Sequence, residues 1–286
     1  MLGAANPPLR KFSACGLKFR RPRRRPRSRG CPPVILLTEG DFLKLYHIFP
    51  DLMNLYGEYG NLTALKGALE AAGLEAEVVK LRPGEETDFA DADFLYMGCG
   101  TEPARNAALA HLRPLSDALR ETILTRQAPA LFTGNAWPLL GQSLTAADGS
   151  VLEGLGLFGY AAAETRDRYT GDAIALPAAS SLPDAPAVGF LNRCDKVEGV
   201  ETPMFTLKMG RGNDGAEASA EGFVQGNFYA THLIGPLLVK NPHLLAHFVS
   251  LLGGEGKPQP VDETGHAALA YQVTLTALRQ RLANGN

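Results

Sequence analysis

The sequence predicts an α/β fold, a mostly parallel sheet flanked by helices, on three observations. Apolar runs of strand length alternate with helical patterns between residues 43 and 144, the signature of βαβ units. One such run, 130–132, stops at Thr133-Gly134-Asn135 and gives way to an apolar stretch at 137–144. That is the pattern of a buried strand, a tight turn and a helix start. Another run, 93–97, leads directly into the small-residue loop Gly98-Cys99-Gly100-Thr101-Glu102. Loops at the carboxyl ends of parallel strands are where such sheets bind ligands, with backbone N–H groups available to an anion.

The elements follow in order. Residues 1–40 form a basic N-terminal extension, expected to be disordered: ten of the 28 Lys and Arg lie between Arg10 and Arg29, and the first acid is Glu39. A Pro- and Arg-rich run without apolar period repels itself and buries nothing. It reads as a nucleic-acid or membrane-surface tail, as a targeting peptide, or as an extension without function. The last is favoured, so nucleic acid is not the expected partner. No apolar h-region follows the charges, which excludes a secretory signal. The rest of the chain carries 18 basic against 30 acidic residues, a formal net charge of −12.

The main domain is expected over 41–253. Its first strand is L-K-L-Y-H-I-F from Leu43, ended by Pro50-Asp51. A glycine-punctuated loop follows, and Asn61 is placed to cap a helix at 62–72 stopped by Gly73. Strands are expected at 76–81 and 93–97, then one long or two short helices at 104–126 broken at Pro114. Beyond the 129–141 bend, strand character recurs at 155–163, 187–191, 204–209 and 223–233. A helix at 241–252 opens with Asn241 as cap and Pro242 in its first turn. Residues 254–286 read as a Gly/Pro linker and a terminal helix from His266.

With 286 residues, the chain can bury roughly three quarters of its unfolded surface. No apolar run approaches the ~20 residues of a membrane helix, so no span is expected. Four cysteines (Cys15, Cys31, Cys99, Cys194) form no C-x-x-C pair, and a reduced, cytoplasmic setting follows. Cys194 lacks metal-ligand spacing, so no metal is expected. No G-x-x-x-x-G-K-[ST] phosphate loop is present, which argues against an ATP-using synthetase in this chain alone.

Four stretches in register carry a family resemblance: Y-H-I-F-P-D-L-M-N-L-Y-G-E-Y-G-N (46–61), the Gly98–Gly100 loop, W-P-L-L-G (137–141) and L-I-G-P-L-L-V-K-N-P-H-L (233–244). Together they resemble the CobB/CobQ-like class I glutamine amidotransferases. The opening stretch is most similar to the glutaminase subunit of lipid II isoglutaminyl synthase. The resemblance implies a flavodoxin-like sheet and a Mur-ligase-like synthetase partner acting on peptidoglycan precursors, with no cofactor in this subunit. It also implies a chemistry. A cysteine at the strand-to-helix turn attacks the side-chain amide of glutamine, a histidine further on is the base, and backbone N–H groups of the glycine loop hold the oxyanion.

Carried over residue by residue, the resemblance finds the frame without its reagents. Counting back from Leu139-Leu140-Gly141 puts the nucleophile position at Gly134, and counting back from Gly235-Pro236-Leu237-Leu238 puts the base position at Ile234. Gly98-Cys99-Gly100 matches the oxyanion loop, with Cys99 where a glycine usually stands. Arg168, in R-Y-T-G-D, matches the family's glutamine-contacting arginine. The leading expectation is therefore a degenerate, glutaminase-like subunit that keeps its partner and a ligand pocket near Arg168. The alternative is an active amidotransferase with relocated chemistry through Cys99 or Thr133 and His232. For each of these three there is a plainer role: Cys99 as a small buried filler, Thr133 in a local backbone hydrogen bond, His232 in binding.

Overall fold

The computed structural model describes residues 42–253 and 265–285. The basic extension of residues 1–40 and the linker at 254–264 lie outside the described residues, apart from the expectations stated for them above.

Successive apolar runs build a central sheet. Strands β1 (Leu43–Ile48), β2 (Ala76–Leu81), β3 (Phe94–Met97) and β4 (Ala130–Thr133) are joined by helix α1 (Gly60–Ala71) and by a helical stretch between β3 and β4. β1 pairs in parallel with β2 and β3, and β3 with β4. The inner strands β3 and β4 read as apolar runs because both of their faces are covered, whereas β2, at the sheet edge, exposes Glu77 and Lys80. Alternation then assigns the faces: Ile48, Leu95, Met97 and Phe132 enter one apolar cluster, while Leu43, Leu45, Phe94 and Leu131 enter the other. On α1, Leu62, Leu65 and Leu69 are buried into the second cluster, worth roughly 1.5–3 kcal/mol each on full burial.

Between β3 and β4, Pro114 divides the helical stretch as its missing N–H requires. Helix α2 spans Glu102–Leu112, a 3₁₀ turn holds Arg113–Leu115, helix α3 spans Ser116–Arg120, and a π turn closes at Thr125. Two capping expectations change. α1 starts one residue before Asn61, whose buried side chain instead donates to the Tyr96 hydroxyl at 2.8 Å and accepts from Leu238 N–H at 2.7 Å. Asn241, ahead of its helix, likewise turns its side chain away and brackets the backbone of Val188, with 2.8 Å bonds to both N–H and C=O.

The bend after β4 also differs from expectation. Residues Gly134–Leu140 form a 3₁₀ helix rather than the first turns of an α-helix, and Pro138 lies inside it. The apolar stretch then becomes β5 (Ser143–Thr145), which pairs antiparallel with β6 (Val151–Glu153).

The second half forms another sheet. Its backbone is a long antiparallel ribbon of β7 (Ala161–Pro177) and β8 (Ala187–Glu198), whose register shifts between Glu164 and Tyr169. Strands β9 (Phe205–Met209) and β10 (Ala220–Glu221) extend it. The single strand expected over 223–233 is a hairpin of β11 (Phe223–Gln225) and β12 (Phe228–Thr231), turned at Gly226 with φ +58°. β12 then pairs in parallel with β4, giving the central order β11-β12-β4-β3-β1-β2. Helices α4 (Leu237–Lys240) and α5 (Pro242–Gly253) follow. The terminal helix α6 (His266–Ala283) packs Tyr271, Leu275 and Leu278 on Ile174 and Val188 of the ribbon. Among the described residues, no helix is long and apolar enough to cross a membrane.

Candidate active site

β3, β4 and β12 end side by side, and the loops after them meet at one cavity of about 270 Å³. It brings together Cys99, Gly100, Gly134, Arg168, His232 and Ile234 from four separate stretches of the sequence. Thr133, one residue before the bend, is buried outside it.

The bend after β4 turns through a glycine. Gly134 has φ +60°, the left-handed conformation that glycine adopts without strain. A Cβ added there would lie 2.2 Å from Cys99 Cβ, 3.3 Å from Cys99 Sγ and 3.3 Å from Ile234 Cγ2. The side chain of Cys99 therefore occupies the space above the bend, and Ile234 closes its other side. The two flanking glycines are there for close approach: a Cβ on Gly98 would meet Glu58 Cβ and the Met53 carbonyl at 2.8 Å, and one on Gly100 would meet the Leu52 carbonyl at 2.7 Å.

Cys99 is buried, with its thiol 3.5 Å from the Leu55 carbonyl. Burial, and after it the Glu58 carboxylate, push the thiol far up from its ordinary range, so it stays protonated. The loop's own donor is in use as well. Asn135 Oδ1 accepts from Gly100 N–H at 3.0 Å, and Asn135 Nδ2 donates to Gly100 C=O at 2.8 Å.

Glu58 was not singled out in the sequence, yet it organises this region. Fully buried, it accepts from Tyr96 Oη at 2.9 Å, from Gly235 N–H at 3.0 Å and from the Thr133 hydroxyl. Thr133 thus bonds a buried side chain rather than local backbone. Burial raises the Glu58 carboxyl above its ordinary value despite these three donors. An acid whose folded pKa is raised weakens the fold as pH climbs above the unfolded value of about 4.5. Glu58→Gln, neutral at all pH and able to bond both Thr133 and Gly235, is expected to exceed the wild type in stability near pH ~8. The difference should close towards pH ~4.5, as followed by urea melts at a series of pH values.

His232, just past β12, lies on the inner wall. Its Nδ1 is 3.3 Å from Glu221 Oε1 and its Nε2 is 3.4 Å from Asp195 Oδ2. Glu221 also accepts from His232 N–H and the Thr231 hydroxyl, both at 2.6 Å. Asp195 accepts from Arg193 Nε at 3.0 Å. Burial pushes Asp195 up, but His232 and Arg193 together outweigh it and hold the carboxyl far below its ordinary range.

The rim is the more exposed part. The register shift in the ribbon releases residues 165–168 from the β7–β8 ladder, and Arg168 reaches the cavity mouth. It pairs with Glu102 at the first turn of α2, donates to Asn192 Oδ1 at 3.0 Å and lies 3.3 Å from Cys194 Sγ. Asn192 in turn donates to Tyr56 Oη at 2.5 Å. Burial raises the Glu102 carboxyl, but the hydrogen bonds from Arg168, the local backbone and Cys194, together with the Arg168 charge, outweigh it and the net shift is downward. Sequence reasoning missed Glu102 because its partner lies 66 residues away. Among the described residues there is no cluster of three His, Cys, Asp or Glu able to hold a metal.

Comparison with known proteins agrees with this architecture. The family model for the CobB/CobQ-like glutamine amidotransferase domain matches residues 44–242. The chain belongs to that family. It is 29% identical over 243 residues to the lipid II isoglutaminyl synthase (glutamine-hydrolyzing) subunit GatD of Staphylococcus aureus, covering 84% of this chain and 98% of that protein. The corresponding GatD of Streptococcus pneumoniae is 26% identical over 211 residues, covering 73% of this chain and 79% of the relative. A crystallised glutamine amidotransferase of Thermotoga maritima aligns over 85% of this chain and 98% of its own, at 14% identity and a TM-score of 0.47.

Proposed function

We propose that this chain is a glutaminase-type amidotransferase subunit without the usual cysteine and histidine chemistry. On this reading it is a cytoplasmic protein that docks on a Mur-ligase-like synthetase in the amidation of peptidoglycan precursors and retains a ligand pocket. One observation carries it. The bend that would bear the nucleophile bears Gly134, and the volume its side chain would need is filled by Cys99. Ile234, the neighbour of that volume, offers no base. Removing the nucleophile of a triad enzyme costs on the order of 10⁶ in turnover.

The purified chain, alone and with its co-purifying partner, is expected to release no ammonia from glutamine above a heat-treated control. Turnover at rates of about 1 s⁻¹ or more, ordinary for an enzyme, overturns the proposal. The relocated-chemistry reading rests on Cys99 Sγ standing 3.3 Å from the seat. A glutamine-analogue electrophile followed by intact-mass and peptide mapping separates the two: relocation requires an adduct on Cys99 or Thr133, and the proposal expects none. Pull-down of the tagged chain from its own cells is expected to recover a Mur-ligase-like protein.

A further inference from the structure

Side chains from four places in the chain bond one another around the cavity mouth. Tyr56, in the 3₁₀ turn Leu55–Gly57 that follows β1, accepts from Asn192 of β8 at 2.5 Å. Asn192 accepts from Arg168 of β7 at 3.0 Å, and Arg168 pairs with Glu102 of α2. The turn is the strained member of this ring. Tyr56 has φ +65° and ψ 20°, a left-handed backbone that is an outlier for a bulky side chain, and Gly57 follows it at φ +74°. No residue of the turn is buried, and Tyr56 is 47% exposed, so packing does not impose this conformation. Met53 and Glu58 on either side are fully buried, which confines movement to residues 54–57. Backbone strain of this kind persists only where neighbouring bonds enforce it, and it concentrates at ligand clamps and switches. Here the enforcing bonds run to two walls of the cavity. Leu55 N–H donates to the Cys99 carbonyl at 2.9 Å, and Asn192 donates to the Tyr56 hydroxyl.

We propose that the Leu55–Gly57 turn is a gate over the cavity, latched shut by the hydrogen bond from Asn192 to Tyr56. Once Asn192 lets go, Tyr56 returns to an ordinary backbone conformation, and the strain released offsets part of the cost of opening. Cys99 lies directly behind the turn, 4% exposed, with its thiol 3.5 Å from the Leu55 carbonyl. Opening therefore uncovers that thiol and the deep end of the cavity beside Gly134. The gate belongs to the turn and the ribbon, and it stands whatever molecule the cavity admits.

Cys99 is the reporter. Labelling of the full chain with N-ethylmaleimide, resolved by peptide mapping, gives its rate separately from those of the other cysteines. Gly57→Ala is the decisive variant. The added Cβ meets only Tyr59 Cε1, at 3.9 Å, and so acts solely by opposing the left-handed backbone of the closed turn. Cys99 labelling is expected to rise about 5–30-fold. Tyr56→Phe deletes the latch bond and keeps the ring, and a rise of about 2–12-fold is expected. In both variants the rate should barely change with low urea, since a local opening exposes little surface. An unchanged Cys99 rate in either variant, in a chain whose melting curve is cooperative, overturns the proposal. So does a rise that tracks urea as steeply as global unfolding, because the thiol is then reached by unfolding and not through a gate.

Discussion

Replacing Gly134 by cysteine alone is expected to destabilise the protein by about 2–5 kcal/mol, the sum of overpacking and left-handed backbone strain. The new Cβ would stand 2.2 Å from Cys99 Cβ, a backbone-attached atom that no rotamer change can move away. Cys99→Gly alone should cost about 1–2 kcal/mol through lost packing and added chain entropy. Combined, the two changes relieve the collision, so the double variant should be more stable than the sum by about 0.5–3 kcal/mol. Denaturant melts of the four proteins measure this coupling, and strict additivity would refute the assignment of Cys99 to the seat. Adding Ile234→His to the relieved pair places an imidazole beside the thiol. Ammonia release is expected only from that triple variant, and an Asn135→Gly change that frees the Gly100 N–H should raise it further, since one oxyanion donor is worth about 10²–10³ in rate.

The second large effect concerns the charges beneath the cavity. Asp195→Asn leaves Arg193 and His232 without their shared carboxylate in a buried place, and breaking a buried ionic set in this way costs about 3–5 kcal/mol. The pH dependence has a definite sign. Asp195 is depressed in the fold from an ordinary value of 3.8, so its contribution is full above that pH and disappears as acid protonates it. The wild type should therefore lose stability on acidification below pH about 4, and Asp195→Asn should show a shallower fall in that window. Urea midpoints from pH ~7 to ~3 provide the comparison. Equal slopes for the two proteins would mean that the carboxyl is not held low by its neighbours.

How much was legible in the sequence follows from where each signal resides. β1, β3 and β4 were readable because strands buried on both faces consist largely of apolar residues, and the β4 bend was readable because Thr133-Gly134-Asn135 interrupts one of them. The long β7 was not. Its centre, E-T-R-D-R-Y-T-G-D, is largely exposed and polar, so only its ladder to β8 identifies it as strand. The 3₁₀ geometry at Gly134–Leu140 defeats a helix reading because apolar spacing over so short a run fits either form. Asn61 and Asn241 have the composition of caps, but distant partners at Tyr96 and Val188 claim their amides. That glycine and isoleucine stand at positions 134 and 234 needed only the sequence. That Cys99 fills the space above Gly134 needed coordinates, since the two residues are 35 positions apart.

Ile234 has one more property. Both of its backbone groups are bound to Phe190 of the ribbon, Ile234 N–H to its carbonyl at 3.0 Å and Phe190 N–H back to Ile234 at 3.3 Å. This main-chain rivet joins the end of β12 to the second sheet whatever side chain stands at position 234. A substitution at position 234 therefore leaves this seam between the two sheets tied, because the bonds that hold it belong to the main chain.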